Sequence, residues 1–453
     1  TGSGPIIGRT LKLNILILHK LGDPSISRVF LKKLVFFLRE HSPEHNYLYH
    51  DVSFSFPESL RGIKFDAIVL DVTMLAQRWG RDDKFRKLKR DYQFVAESTA
   101  LKIAFPQDDY DCHVLLDEWM IEWNVDVVFS VISSNLETLY PQFSRKGSIK
   151  LAYTGYLDDQ LIRFPTQAFH SRSIDVGYRA KKLLPYFGKL GETKWKIGLE
   201  VLEKIKGLDL KEDIKIGDQH LILGQDWYRF INDCKFTLGS NSGSSLLDPY
   251  GSIRKKVQKY LRSNPSAPFA EVETACFPGM DGKESFTAIS PRVLEAAVLN
   301  SCQILVEGEY SHVLQPWEHY IPIKPDASDF DQVHAAMKEE DEVTSRIRRC
   351  REAILDCSFL RYSSKAEKVL GLILEKLDAE SGESPQPGVE DLLSRHELEL
   401  RRTTSLIFGA KRLRARVSGI PLVGLLAKVF ICSFTLGLAT RTLRILGFRF
   451  APP

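Results

Sequence analysis

Phe286–His319 reads FTAISPRVLEAAVLNSCQILVEGEYSHVLQPWEH. The fold is decided here, because a helix start, a buried strand and a set of exposed polar groups follow one another within it. Ser290 suits the N-cap and Pro291 the first helical position, where a missing N–H costs nothing, so the pattern predicts a helix from Pro291 to about Asn300. Gln303 to Val306 then reads as a buried strand. Glu307-Gly308 follows it, at the strand end where open α/β sheets bind ligands. The free amides of the helix tip form an anion site, and Arg292 in the first turn adds a charged fork for a diphosphate. Glu295, about one turn on, suits hydrogen bonds from sugar hydroxyls beside that phosphate, as acids do for ribose in dinucleotide folds. A plain helix start, with Glu295 solvated or paired to Arg292, accounts for the same residues without a ligand.

Upstream, Leu13 to Leu18 is a continuous apolar run ending at His19, which suits a central parallel strand, and Pro24 to Arg39 follows with helical spacing. Further strands are expected at Asn46–Val52, Ala67–Leu70, Ile103–Phe105, Val125–Ile132 and Ile149–Tyr153, separated by amphipathic stretches, so a doubly wound sheet is implied. His19, Asp71 and Gln107-Asp108-Asp109 fall at strand ends, which line one crevice in such a sheet. The boundary between halves is expected near Phe164–Ser171. The second half restarts with a strand at Ser173–Tyr178, a helix at Lys194–Lys206 and a short strand at Ile214–Ile216, and a helix then a strand lead from Asp226 to Gly239. Ser240–Ser245, SNSGSS, either wraps a phosphate or sugar with backbone amides or is a solvated loop. Lys189, flanked by Gly188 and Gly191 with Arg172, Tyr178 and Arg179 upstream, is either a diphosphate patch or a surface charge run. Phe359–Leu377 is an amphipathic helix, and Asp378–Gly388 is a linker by composition.

A chain of 453 residues with 43% hydrophobic and 26% charged residues has room for two α/β domains and a large core. A net charge of +4 is small for that length, so the total does not point to nucleic acid. The seven cysteines are scattered singly with no CxxC pair, which reads as reduced, mostly buried thiols in a reducing compartment. No charged start followed by a long apolar core marks a secretory signal. No GxGxxG follows the first strand, which disfavours a dehydrogenase.

ISPRVLEAA, followed by QILVEGEYSHVLQPWEHYIPIK, resembles the C-terminal half of the bacterial glycosyltransferases related to the spore maturation protein CgeB, which have the GT-B fold. The resemblance extends more weakly from about Ser171 to Leu377. It implies an α/β chain of two Rossmann-like doubly wound domains facing a central cleft. Residues 1–165 would be the N-terminal acceptor domain and 166–377 the nucleotide-sugar donor domain, while composition makes 378–391 a linker and 392–453 a basic amphipathic membrane-associating helical tail. In that family the helix at Ser290, Arg292 and Glu295 faces the donor diphosphate and its Glu faces the ribose. A Gly-Ser loop like Gly239, Ser240, Ser242 and Gly243 borders the donor site, and Glu307 closes the following strand. The run RSIDVGYRAKKLLPYFGKLG resembles the start of the nucleotide-binding domain and brings in Arg179 and Lys189. His319 resembles a position near the donor and reads equally as a core histidine. A late helix in GT-B enzymes crosses back to brace the first domain.

From Arg401 on, Lys and Arg accumulate with no acid, including KRLRAR at Lys411–Arg416, so the tail wants an anionic partner. Ile420–Ala439 is nearly apolar, but Lys428, Pro421, Gly424 and Gly437 interrupt it. An element lying in the cytoplasmic leaflet interface fits this pattern, which places the protein in the cytoplasm, peripheral on the inner face of the membrane. Helices packed on the protein or on a second copy fit it too.

The expected chemistry is transfer of a sugar from a nucleotide-diphosphate donor to a hydroxyl of a surface-glycan or lipid-linked acceptor. Asp108 is the first choice for the base, His19 the second and His170 the third. Asp108-Asp109 is adjacent rather than spaced as a DxD metal pair, so no metal and no cofactor beyond the donor is expected. A non-catalytic nucleotide-sugar or glycan-binding subunit, and a GT-B polyol-phosphate transferase, share the same diphosphate site.

Overall fold

Six short strands build the first sheet: β1 (Asn14–His19), β2 (Asn46–Asp51), β3 (Ala67–Leu70), β4 (Leu101–Ala104), β5 (Val127–Ser130) and β6 (Ser148–Leu151). They are all parallel, in the order β2-β1-β3-β4-β5-β6. The inner strands are wholly buried, as parallel strands covered on both faces must be, while the edge strand β6 is partly open. In the second sheet β7 (Ile174–Ala180), β8 (Glu212–Ile216), β9 (Cys234–Gly239), β12 (Cys302–Val306) and β13 (Ile321–Ile323) run parallel in the order β13-β12-β9-β7-β8. Between β9 and β12, β10 (Ser242–Ser244) pairs antiparallel with β11 (Phe286–Ala288). The computed structural model describes residues 12–22, 29–379 and 388–417. The chain has the expected GT-B architecture, two Rossmann-like sheets with a cleft lined by residues of both halves.

The helices that position the cleft are α1 (Val29–His41), α2 (Asp82–Asp91), α3 (Gly188–Ile205), α4 (Gln225–Asp233), α5 (Ser252–Ser263), α6 (Pro291–Val298), α7 (Tyr362–Ala379) and α8 (Val389–Val417). The helix expected over Pro24–Arg39 is described from Val29; residues 23–28 lie outside the described residues. α3 begins at Gly188, six residues before the expected Lys194, because Gly188 turns the chain at φ 69° straight into the first helical turn. α6 stops at Val298, two residues early, and Asn300 leaves it at φ 58°. SNSGSS is not an open loop. Gly243 sits at φ 149°, and a Cβ there would fall 2.0 Å from the Phe286 carbonyl oxygen, so a glycine is what lets β10 meet β11.

The end of the chain returns to the first sheet. Tyr362, Ala366, Val369 and Ile373 of α7 are buried in its core, as the crossover expectation required, and Val389 and Leu393 of α8 join the same cluster. α8 lies against β2, and Arg39 of α1 reaches it with two parallel bonds to Glu397, at 2.7 and 2.6 Å. The first turns of the tail expected from residue 392 belong to this helix, and its apolar stripe Val389, Leu393 and Leu400 is buried. Ile420–Ala439 and Arg441–Arg449, which carry the membrane expectation, lie outside the described residues. Among the described residues no helix is long and apolar enough to cross a membrane.

Candidate active site

The two sheets share the same strand order, and in each the order reverses beside its first strand, which opens a crevice at the carboxyl ends. Beyond β7 and β9, residues of the second half meet Gln107, Asp108, Tyr110 and Thr154 of the first around one cavity of about 430 Å³. The tip of α6 forms part of its wall through Ser290, Pro291, Arg292 and Glu295. Ser290 has extended backbone and makes no side-chain capping bond, so its hydroxyl is not spent on the helix. The first half touches this tip directly: Thr154 donates its hydroxyl to the Ile289 carbonyl, and a Cβ on Gly155 would lie 2.8 Å from the Pro291 ring.

Two cations converge on the cavity. Arg292 stacks between Tyr178 and Trp227, its guanidinium 4.8 and 5.3 Å from their ring centres, and donates to the Arg179 carbonyl; its buried Nε–H has no partner among the described residues. Lys194, from the second turn of α3, donates to Ser242 Oγ at 2.6 Å. Burial and then the Arg292 charge pull the Lys194 ammonium down to about 8, while Asp108 works the other way. Glu295 accepts from Trp227 Nε1 at 2.7 Å, and burial raises its carboxyl above the ordinary range against the pull of Trp227 and Arg292. Leu221 and Leu223, both exposed, give the same cavity an apolar rim next to Trp227.

Across from these, Asp108 sits in the left-handed region at φ 53° and accepts from the Tyr110 hydroxyl at 2.6 Å. Its own carbonyl, with that of Gln107, accepts from Arg78 Nη2 at 3.0 and 3.2 Å. Asp108 does not cap the helix after it, which begins at His113 behind Cys112. The neighbouring Asp109 is fully buried on Tyr140, at 2.7 Å, and faces the core.

Ser242, Gly243, Ser290, Arg292, Glu295 and Asp108 thus meet at the cavity, and Arg179 borders it. The Arg179 side chain turns away, however, paired to Asp213 at 2.5 Å and stacked on Phe230, because β8 offers a carboxylate beside it. Lys189 is exposed outside the cavity, its amide bonded to Asp281. Gly239 and Ser240 lie behind the wall, Ser240 being buried. Glu307 is exposed outside it, and His319 takes the Gln315 amide proton on Nδ1 at 2.9 Å as part of a turn. His19 is buried at the end of β1, accepting from the Leu21 amide at 3.2 Å, and burial depresses its basicity although Asp51 and Asp71 oppose this. His170 stands exposed on a short turn against Phe169. Arg172 is a strut, bonded to the carbonyls of Cys234, Gln167 and Leu299.

Lys194, Trp227, Tyr110 and Arg78 were missed by sequence reasoning. A signal existed for the first: Lys194 falls on the stripe Ile197, Gly198, Val201 and Ile205, the buried face of α3, and a lysine on such a stripe needs a reason. Among the described residues no group of three His, Cys, Asp or Glu gathers as metal ligands.

No family model matches the chain, and no curated protein does either. Among solved structures it is similar to HepE of Anabaena in complex with UDP-glucose, at 10% identity and a TM-score of 0.45, over 79% of this chain and 99% of that one. It is also similar to an alpha-glucosyltransferase in complex with UDP and a 13-mer DNA containing a HMU base, at 10% identity and a TM-score of 0.46, over 80% of this chain and 100% of that one. Sucrose-phosphate synthase from Thermosynechococcus elongatus is similar at 11% identity and a TM-score of 0.44, over 82% and 100% of the two chains. Likenesses this distant carry no functional argument for the chain.

Proposed function

We propose that the cavity binds a nucleotide-diphosphate sugar and that the chain transfers its glycosyl group to a hydroxyl of a surface-glycan or lipid-linked acceptor. The observation that supports this best is the convergence of Arg292, Lys194 and the α6 tip on one side of the cavity, with Asp108 on the other. As the bond from the anomeric carbon to the diphosphate oxygen breaks, negative charge grows on the leaving group, and the two cations and the helix amides meet it. Glu295 takes the ribose hydroxyls, and the apolar rim takes the base. In an inverting transfer Asp108 accepts the proton of the acceptor hydroxyl as the new glycosidic bond forms. Because Lys194 and Arg292 neutralise the diphosphate, the reading assigns no divalent metal to it; activity lost on chelation and restored by Mg²⁺ or Mn²⁺ would contradict that. The ISPRVLEAA stretch is taken as kinship with the CgeB-related enzymes, and residues 418–453 as the segment that holds the protein on the inner membrane face.

A melting screen over nucleoside diphosphates tests the donor site. A ligand that binds only the native state raises the melting temperature, so at least one nucleoside diphosphate should do so, and should fail to in Arg292→Gln. No stabilisation by any of them would end this reading.

A further inference from the structure

A second cavity, of about 590 Å³, opens where α2 of the first half meets α5 of the second. Its walls carry Arg78, Arg81, Arg86, Arg254 and Lys255 against Asp82 and Asp83. The two acids make exposed ion pairs, Arg81–Asp83 at 3.0 Å and Lys255–Asp82 at 2.8 Å, and such pairs are worth little. Arg254 stands on Tyr186 and Trp79, 4.7 and 5.3 Å from their ring centres, and spends its terminal nitrogen on Asp111. Its buried Nε–H has no partner among the described residues. Arg78 is locked by the carbonyls of Leu75, Gln107, Asp108 and Asp111, so its charge is fixed beside the cavity and cannot swing away. The outer face of α5 adds Lys256, Lys259 and Arg262, and the helix has no acid.

The segment that carries Asp108 into the first cavity brings Cys112 to this one, and Arg78, which lines this one, donates to the Asp108 carbonyl. We propose that this cavity is an anion site that seats a phosphate or carboxylate group, and that the acceptor carries that group. The use by the acceptor rests on the glycosyl-transfer reading; the anion binding does not. Guanidinium forks match phosphate and carboxylate geometry and gain strength from the low dielectric of a wall.

The probe is inorganic tripolyphosphate, titrated calorimetrically into the full chain carrying Arg292→Gln and Lys194→Met, which removes the cations of the donor cleft. One salt-dependent binding event is expected, and adding Arg86→Glu with Lys255→Glu, both exposed, should weaken it about tenfold or more. Arg254→Gln should weaken it too, but its loss of the Asp111 pair makes the exposed pair of variants the deciding one. No binding, or binding that survives those variants, overturns the site. Flotation with phosphatidylglycerol vesicles separates the sources: dependence on Arg86 and Lys255 there assigns the group to a lipid headgroup, and dependence with tripolyphosphate alone assigns it to a soluble glycan. For the acceptor, kcat/KM should favour a phosphate-bearing saccharide over the same saccharide after phosphatase, and Arg86→Glu with Lys255→Glu should abolish the preference. Equal use of both by the unaltered protein overturns that part. Failure of nucleoside diphosphates to bind the unaltered protein would remove the transfer reading while leaving the tripolyphosphate result to stand by itself.

Discussion

Lys194 Nζ donates to Ser242 Oγ at 2.6 Å, which joins the second turn of α3 to the strand β10 and fixes an ammonium beside Arg292 with no acid bonded to it among the described residues. Such a charge is stable only while its surroundings tolerate it, and burial has already pulled it down to about 8. A diphosphate binds the protonated form, so its affinity is full below about pH 8 and falls as the pH rises through it. Lys194→Met should weaken nucleoside diphosphate binding by about 1.5–3 kcal/mol and remove this pH step. Titration calorimetry from pH 6.5 to 9.5 reads both; a step that persists in the variant would assign it to another group.

Glu295 is the group that distinguishes a nucleoside from bare phosphate. It accepts from Trp227 Nε1 and borders the cavity one turn from Arg292, so its proposed contact is with ribose. Glu295→Gln should cost a nucleoside diphosphate about 1–2 kcal/mol and leave inorganic pyrophosphate unchanged. Equal losses for both ligands would place Glu295 in support of Arg292 instead.

Asp108→Asn should keep the fold, because asparagine also tolerates the left-handed backbone found at φ 53°. Turnover should fall by about 10²–10⁴ with donor affinity intact, which is the mark of a lost general base. Single-turnover assays beside equilibrium binding separate the two, and turnover within a few fold of the parent would remove Asp108 from the chemistry.

The order of elements was legible because the central parallel strands are buried apolar runs, and Ala67–Leu70 agrees to the residue. The tip of α6 was legible for the same local reason: Ser-Pro-Arg is helix-start chemistry wherever it folds. What sequence could not give was direction. Arg179 and Lys189 have the right charge, but β8 brings Asp213 to the first and α3 turns the second outward, and both facts depend on partners far along the chain. Lys194 was hidden because the helix was expected to begin at it, so it read as a first-turn residue rather than as part of the buried stripe of Ile197, Gly198, Val201 and Ile205. Arg78 is a further case, a basic residue whose role is to hold four carbonyl groups contributed by two segments.

Truncation should separate stability from membrane binding at a boundary other than the one composition suggests. α8 buries Val389, Leu393 and Leu400, and Glu397 receives both arms of Arg39, so a cut before residue 389 strips apolar cover from the first sheet and leaves a half-buried guanidinium without its acid. Leu393, 2% exposed, gives the scale: Leu393→Ala should cost about 2–4 kcal/mol. Removing residues 389–453 should therefore lower the melting temperature sharply, whereas removing 418–453 should leave it nearly unchanged. If the basic and apolar residues from Ile420 to Phe450 lie in a leaflet interface, the shorter deletion alone should release the protein from anionic vesicles, because apolar burial and attraction to anionic lipid act together there. Flotation of that stable variant with the vesicles would show that the attachment comes from elsewhere, and flotation of Arg86→Glu with Lys255→Glu in the same background would then say whether the α2–α5 surface supplies it.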